Sequence, residues 1–193
     1  MTDPLLLDLP LSLTTARLTL RPPQAGDGPL FLAALTESLP ELRRYLGALP
    51  WIACDHTAES AELYCRNAHA NFVARKDIPY FIFDQTTGQL VGGIGLHRAV
   101  WATPKAEVGY WCRSSSAGRG FVGEAVTALA GLAFHQLGLV RLELITDQAN
   151  QASRRVAERC GFTLEGTLRN ESRAPDGTLR NMCVYARLPE TGA

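Results

Sequence analysis

Apolar and polar positions change period several times along this chain, and each change marks an element. Arg17-Leu-Thr-Leu-Arg21 alternates, which is the signature of a half-buried strand. Helical spacing then predicts helices over about residues 29–46, broken near Pro40, and over about residues 57–75. Two strand-like runs, about residues 80–84 and 89–97, flank Gln85-Thr-Thr-Gly88 and read as a hairpin. A strand over residues 107–113 leads into a small-residue loop. After the loop, Val122, Val126, Leu129 and Ala133 fall on one helical stripe that stops at Gly138. Residues 139–146 form the next strand. Asn150 is a good N-cap and Gly161 a good C′ residue for the helix between them. A strand over about residues 162–173 turns back at Pro175-Asp176-Gly177 into residues 178–187. Strands thus precede and follow a strand–helix–strand–helix unit, which predicts an α/β (α+β) protein with a mixed sheet.

The most telling stretch is the junction Tyr110-Trp-Cys-Arg, Ser114-Ser-Ser-Ala-Gly-Arg-Gly120, Phe121-Val-Gly-Glu. Gly118 and Gly120 stand where the loop becomes a helix. The first N–H groups of a helix lack intrahelical partners and carry the positive end of its dipole. Glycines let an anion approach them closely. A Walker A loop is excluded, because Phe121 and Val122 follow Gly120 where Lys and Ser/Thr are needed. A dinucleotide fingerprint fits poorly, since Glu143 falls inside the next strand rather than at its end. Taken alone, the loop reads equally as an anion cradle and as an ordinary turn.

The segment Asp147-Gln-Ala-Asn150-Gln-Ala-Ser153-Arg-Arg-Val156-Ala-Glu158-Arg-Cys-Gly161-Phe162, followed by Leu164-Glu165-Gly166, separates those readings. With the opening Thr15-Ala-Arg17-Leu-Thr-Leu-Arg21-Pro22, it resembles the GNAT N-acetyltransferase superfamily, and within it the RimJ/RimL-like branch. The resemblance runs from about residue 15 to 188, in one domain spanning residues 1–193. It implies a mostly antiparallel mixed sheet of about seven strands flanked by helices, with two central strands splayed around an acetyl-CoA cleft. One departure stands out: the family loop usually opens with Gln or Arg, and Ser115 occupies that position here.

The same resemblance implies acetyl-CoA as co-substrate. Its pyrophosphate is expected on the amides of Ala117, Gly118, Arg119, Gly120 and Phe121. Its pantetheine arm is expected to pair as an added strand with Trp111, Cys112 and Arg113. Asn150, Ser153 and Arg155 complete the expected cofactor contacts. Ser153 inherits the role of acid to the leaving thiolate. Glu171, one position out of register, and Glu107 are the candidate bases; for each, a surface or structural carboxylate is the competing reading. Arg154 and Arg155 read equally as phosphate ligands and as a solvated face, with Arg154 paired to Glu158 at i,i+4. Tyr110 and Tyr185 read as core or cleft wall, and Trp51 equally as acceptor wall or core.

A protein or peptide N-terminus is the expected acceptor. An α-amine with a pKa of ~7.7–8.0 is already partly neutral at pH 7, whereas a lysine is neutral only to roughly one part in 2,500. The alternatives are a small-molecule amine acceptor (aminoglycoside, polyamine or amino-acid-like) and a non-catalytic acyl-CoA-binding module.

Composition narrows the field further. Lys plus Arg equals Asp plus Glu at 19 each, so no general electrostatic case exists for nucleic acid or an acidic membrane. Five scattered cysteines and four histidines show no metal-ligand spacing, so no metal is expected and a reducing cytoplasm fits best. The run Leu5-Leu-Leu7, interrupted by Asp3, Asp8 and Pro10, reads as neither signal peptide nor membrane span. A monomer or homodimer is expected.

Overall fold

The computed structural model describes residues 3–47 and 49–190. Its frame is one eight-stranded sheet in the order β1-β2-β3-β4-β5-β6-β8-β7. The strands are β1 (Leu13–Thr14), β2 (Leu18–Arg21), β3 (Ile78–Asp84), β4 (Leu90–Val100), β5 (Lys105–Cys112), β6 (Arg141–Asp147), β7 (Thr163–Arg173) and β8 (Leu179–Arg187). All neighbours are antiparallel except β5 and β6. The expected seven strands become eight because Leu13 and Thr14 pair with Leu20 and Thr19 at one edge.

Helices α1 (Gly28–Leu46), α2 (Pro50–Ala53) and α3 (Ala58–Val73) lie between β2 and β3; α4 (Phe121–His135) and α5 (Gln151–Arg159) follow β5 and β6. Phe31, Leu35, Ile52, Cys65, Phe81, Leu90 and Trp111 form a core with α1 to α3 on one face. Leu20, Ile82, Ile94, Val108, Leu129, Leu142 and Ala157 form the other core, with α4 and α5. Pro40 does not break α1, which runs unbroken through it. Burying Phe31, Ala34 and Leu35 on one side of the proline, with Leu42 and Leu46 packed on the other, offsets the lost backbone bond. The four-residue α2 has no counterpart in the sequence pattern, being too short to show a period.

α1 begins where Asp27 is gripped by both Nη atoms of Arg21, at 2.6 and 2.7 Å. Glu62 of α3 accepts from the N–H groups of Gly26 and Gly28. A Cβ at Gly28 would lie 2.9 Å from the Glu62 Cα, so glycine permits this close packing of α1 on α3.

Candidate active site

β5 and β6 pair through only three positions, Lys105–Arg141, Ala106–Leu142 and Glu107–Glu143. Beyond Glu107 they part, while β5 continues to pair with β4 as far as Gly92–Cys112. Arg113 N–H donates to Val91 O at 2.9 Å. Since backbone groups alternate sides along a strand, the N–H and C=O of Tyr110 and Cys112 face the gap. The splay therefore exposes an unpaired strand edge inside the fold, the kind of edge that takes up an extended ligand.

That edge leads into the loop. Ser114–Ser116 makes one 3-10 turn, and Gly118 and Gly120 follow at φ 76° and 81°. The Ala117 N–H closes the turn onto Ser114 O, so it is already used. Among the described residues, the N–H groups of Gly118, Arg119 and Gly120 have no protein acceptor. Gly120 caps α4 without a side-chain bond, which leaves the first helical amides open as well.

The loop is held from two directions. Glu37 of α1 accepts from Arg113 Nε at 2.7 Å and from Ser115 N–H at 2.8 Å. Those bonds, Ser115's first and Arg113's after them, hold the Glu37 carboxyl down at about 2. The buried Ser38 hydroxyl accepts from Ser114 N–H and donates to Ala34 O. On the opposite side Glu124, in the first turn of α4, accepts from Thr15 Oγ1, Arg17 N–H and Arg17 Nε. Arg17 Nη1 then donates to Arg119 O at 3.0 Å. The Arg17 and Arg119 guanidiniums lie 4.9 and 4.4 Å from the centre of the Phe121 ring. The short side chain of Ser115 thus coexists with a loop whose backbone is fixed by Glu37, Ser38 and Arg17.

On the α4 face of the splay, Tyr110 meets Ser153. Asn150 Oδ1 accepts from Ser153 N–H at 3.1 Å and sets the start of α5. The Ser153 hydroxyl lies 2.8 Å from the Tyr110 hydroxyl. Burial pushes the phenol up to about 12, so it keeps its proton at neutral pH. Tyr185 sits apart: fully buried, it donates to Glu158 Oε1 and accepts from Arg154 Nε. Arg154 and Glu158 therefore meet through a phenol rather than as a direct pair. Arg155 is exposed on α5.

On the α1 face, glycines clear the sheet. A Cβ at Gly95 or Gly109 would lie 3.0 or 3.2 Å from His97 Nε2, so the imidazole lies over both. His97 Nδ1 is 3.0 Å from Asp77 Oδ1, and Asn71 Nδ2 is 3.5 Å from Asp77 Oδ2. The register of β4 and β5 shifts between His97 and Val100, and Arg98 there adopts φ 50°. Such a bulge re-aims side chains and stores strain. Arg98 Nε reaches Glu107 Oε2 at 3.0 Å, and the Glu107 side chain is only 13% exposed. Glu107 is thus an ion-pair partner, whereas the Nε2 of His97 lies over Gly109 with no hydrogen-bond partner among the described residues. Glu171 is exposed on β7, within the register shift between Leu168 and Ser172.

The sequence model of the acetyltransferase (GNAT) domain matches residues 17–163. The chain belongs to the GNAT acetyltransferase family. It is similar to the uncharacterized N-acetyltransferase YoaA of Bacillus subtilis (strain 168), 29% identical over 174 residues that cover 90% of this chain and 94% of that one. It is 34% identical over 101 residues to the ribosomal-protein-serine acetyltransferase of Escherichia coli (strain K12), covering 52% of this chain and 55% of that protein. The chain spans about half the length of this and other curated relatives that it matches over shorter segments. Among solved structures, RimL, the ribosomal L7/L12 alpha-N-protein acetyltransferase in complex with coenzyme A, superposes with a TM-score of 0.82 at 22% identity, over 93% of this chain and 96% of that one. As a GNAT enzyme the protein is an acetyl-CoA-dependent N-acetyltransferase.

Within this GNAT frame the expected cofactor residues gather along one path: the β5 edge at Trp111, Cys112 and Arg113, then Gly118, Arg119, Gly120 and Phe121. Trp111 presents neither group to the gap: its backbone faces β4 opposite Gly93, and its side chain is 5% exposed and packs beside Phe31. Trp51 packs against the same core. The local pattern did not reveal Glu37, Ser38, Arg17, His97 or Asp77 as parts of the site. A signal for His97 was available in Gly95 and Gly109, because glycines inside strands mark close approach by another group. Among the described residues, no cluster of metal-ligating side chains occurs, and no helix is long and apolar enough to cross a membrane.

Proposed function

We propose that this GNAT enzyme acetylates the N-terminal α-amine of a protein or peptide in the cytoplasm, by direct attack in a ternary complex. The observation that carries the reading is the free β5 edge. It runs from open helix-start amides to a point where Tyr110 with Ser153 and His97 with Asp77 occupy opposite faces of the sheet. Acetyl-CoA supplies the activated acyl group. The amides of Gly118 to Phe121 hold its pyrophosphate, and the Tyr110 and Cys112 backbone takes its pantetheine arm as an added strand. At ~3.3 Å per residue, Arg113 to Gly109 spans roughly 13 Å, which brings the thioester to Gly109 and Tyr110.

Adjacent strand residues point to opposite faces. Tyr110 and Ser153 therefore stand on one side of the thioester, where Ser153 protonates the departing thiolate. His97 stands on the other side and takes the proton from the attacking amine, its ring held by Asp77. Glu107 remains tied to Arg98 and keeps that cation off the imidazole. An α-amine needs only modest help from a base, which an imidazole can give. The names of the E. coli relative and of the RimL structure support a protein acceptor.

The test is release of free CoA thiol from acetyl-CoA with a panel of short peptides and small amines. Turnover on free-amine peptides, abolished by prior N-terminal blocking, supports the reading. Turnover only on small amines selects a metabolite acceptor, and CoA binding without turnover on any amine makes the protein a binding module.

A further inference from the structure

A second cleft opens beside the splay on the α1 face. Its volume is about 510 Å³, within the range of small-ligand sites. Its walls are the end of α1, Ala53 of α2, the β7–β8 turn and Arg180 of β8. Gly47 and Pro175 touch at one end, so closely that a Cβ on Gly47 would lie 2.7 Å from the Pro175 Cγ. Arg43, Arg44 and Arg180 line the cleft, and a smaller adjoining pocket that shares these three adds Arg173. Asp176 lies in the cleft and Asp147, at the end of β6, in the smaller pocket.

The charges do not cancel locally. Asp147 is 5% exposed and accepts from Arg180 Nη1 at 2.8 Å. Asp176 takes Thr178 N–H at 2.9 Å. Arg43 is fully engaged, by Ile52 O, Cys54 O and Asp55. Arg173 donates only to Gly177 O, and Arg44 only stacks on Tyr45. Neither has a carboxylate partner among the described residues. Arg180 Nε is buried and has no acceptor among the described residues, which is costly unless something reaches it.

The position of the cleft ties these arginines to the reaction. Glu143, Ile145 and Asp147 alternate along β6 onto the same face as Gly109 and His97. From Ile145 to Asp147 is about 7 Å at the usual strand rise. Arg180 holds Asp147 at that end of β6, so the residues that follow an acceptor amine, at ~3.3 Å each, extend from His97 toward the arginines.

Resting on the N-terminal reading above, we infer that this cleft is an acceptor subsite for an anionic group, a carboxylate or phosphate carried close to the reacting amine. Guanidinium forks recognise both anions through paired, charge-assisted bonds. In peptide form, the preferred acceptor has Asp, Glu or a phosphorylated residue at its second to fourth position.

The experiment compares kcat/KM for three N-terminally free peptides that differ only at positions two to four: acidic, uncharged and basic. The wild-type enzyme is expected to favour the acidic peptide over the uncharged one about tenfold, mainly through KM. That preference should shrink as salt rises and fall toward unity in Arg44→Gln/Arg173→Gln. Equal kcat/KM on all three peptides, or a preference that the double variant leaves intact, overturns the subsite. If no peptide reacts, the N-terminal reading fails instead. The subsite is then judged on an aminoalkyl phosphate and an amino dicarboxylate against an uncharged amine: preference for the anionic amines supports it, and indifference overturns it.

Discussion

Replacing Glu37 by Gln tests whether the cofactor loop is held by the carboxylate rather than by its own sequence. Glu37 accepts two bonds from the loop, from Arg113 Nε at 2.7 Å and Ser115 N–H at 2.8 Å. Bonds to a charged group contribute ~1.5–3 kcal/mol when protected, and exposed ion pairs only ~0–1 kcal/mol. With Glu37 32% exposed and Arg113 20%, a combined loss of about 1–2 kcal/mol is reasonable. For a domain of this size that lowers Tm by about 3–6 °C. The bonds go to the loop alone, so the loop loosens first and CoA must re-order it. The Kd for CoA, read by calorimetry, should rise about 5- to 30-fold.

The pH dependence has a definite sign. The folded carboxyl sits at about 2 against an ordinary 4.5. Its contribution is therefore fully present above pH 4.5 and is lost as pH falls toward 2. The Tm gap between wild type and Glu37→Gln should be constant near neutrality and close progressively through that acid window. An unchanged CoA Kd at pH 7.5, or a Tm gap that persists unchanged down to pH 2, would refute the loop-clamp reasoning.

Gly118→Pro should weaken CoA binding by more than tenfold while leaving the melting transition cooperative, because Gly118 has φ 76° and proline is fixed near −65°; fluorescence titration with CoA checks it. Ser153→Ala should lower kcat about 10²-fold at saturating acetyl-CoA with little change in CoA Kd, and full turnover would remove Ser153 from the role of acid. His97→Gln should cost a similar factor in kcat, with part of the rate restored by added imidazole. Restoration by imidazole is the readout that a merely structural histidine would not give.

Much of the architecture was legible because it is written in local patterns. Asn150 and Gly161 bracket α5, Gln85 to Gly88 turns β3 into β4, and Gly118 and Gly120 mark the start of α4. The chemistry of the site was less legible, because its contacts are distant in sequence. Glu37 and Ser115 are 78 positions apart, Arg17 and Glu124 107. No period or spacing links such pairs; only the fold does. Pro40 misled for a related reason. Its local penalty is real, but side chains on both sides of it are fastened to the same core. Glu107, attractive as a carboxylate on the strand before the loop, is claimed by an arginine at a bulge that no alternation pattern announces.

The three-position joint between β5 and β6 also makes the enzyme a reporter of its own supply. The sheet folds one strand short, and on the proposed reading the co-substrate fills that gap in the native state while the unfolded chain offers it nothing. Stability must then rise with cofactor concentration, by ~2.7 kcal/mol at a hundred times Kd. Starved of acetyl-CoA, the same polypeptide opens more often along that seam and meets proteases more often. On that reading the lifetime of the protein, as well as its rate, is expected to depend on the metabolite it consumes.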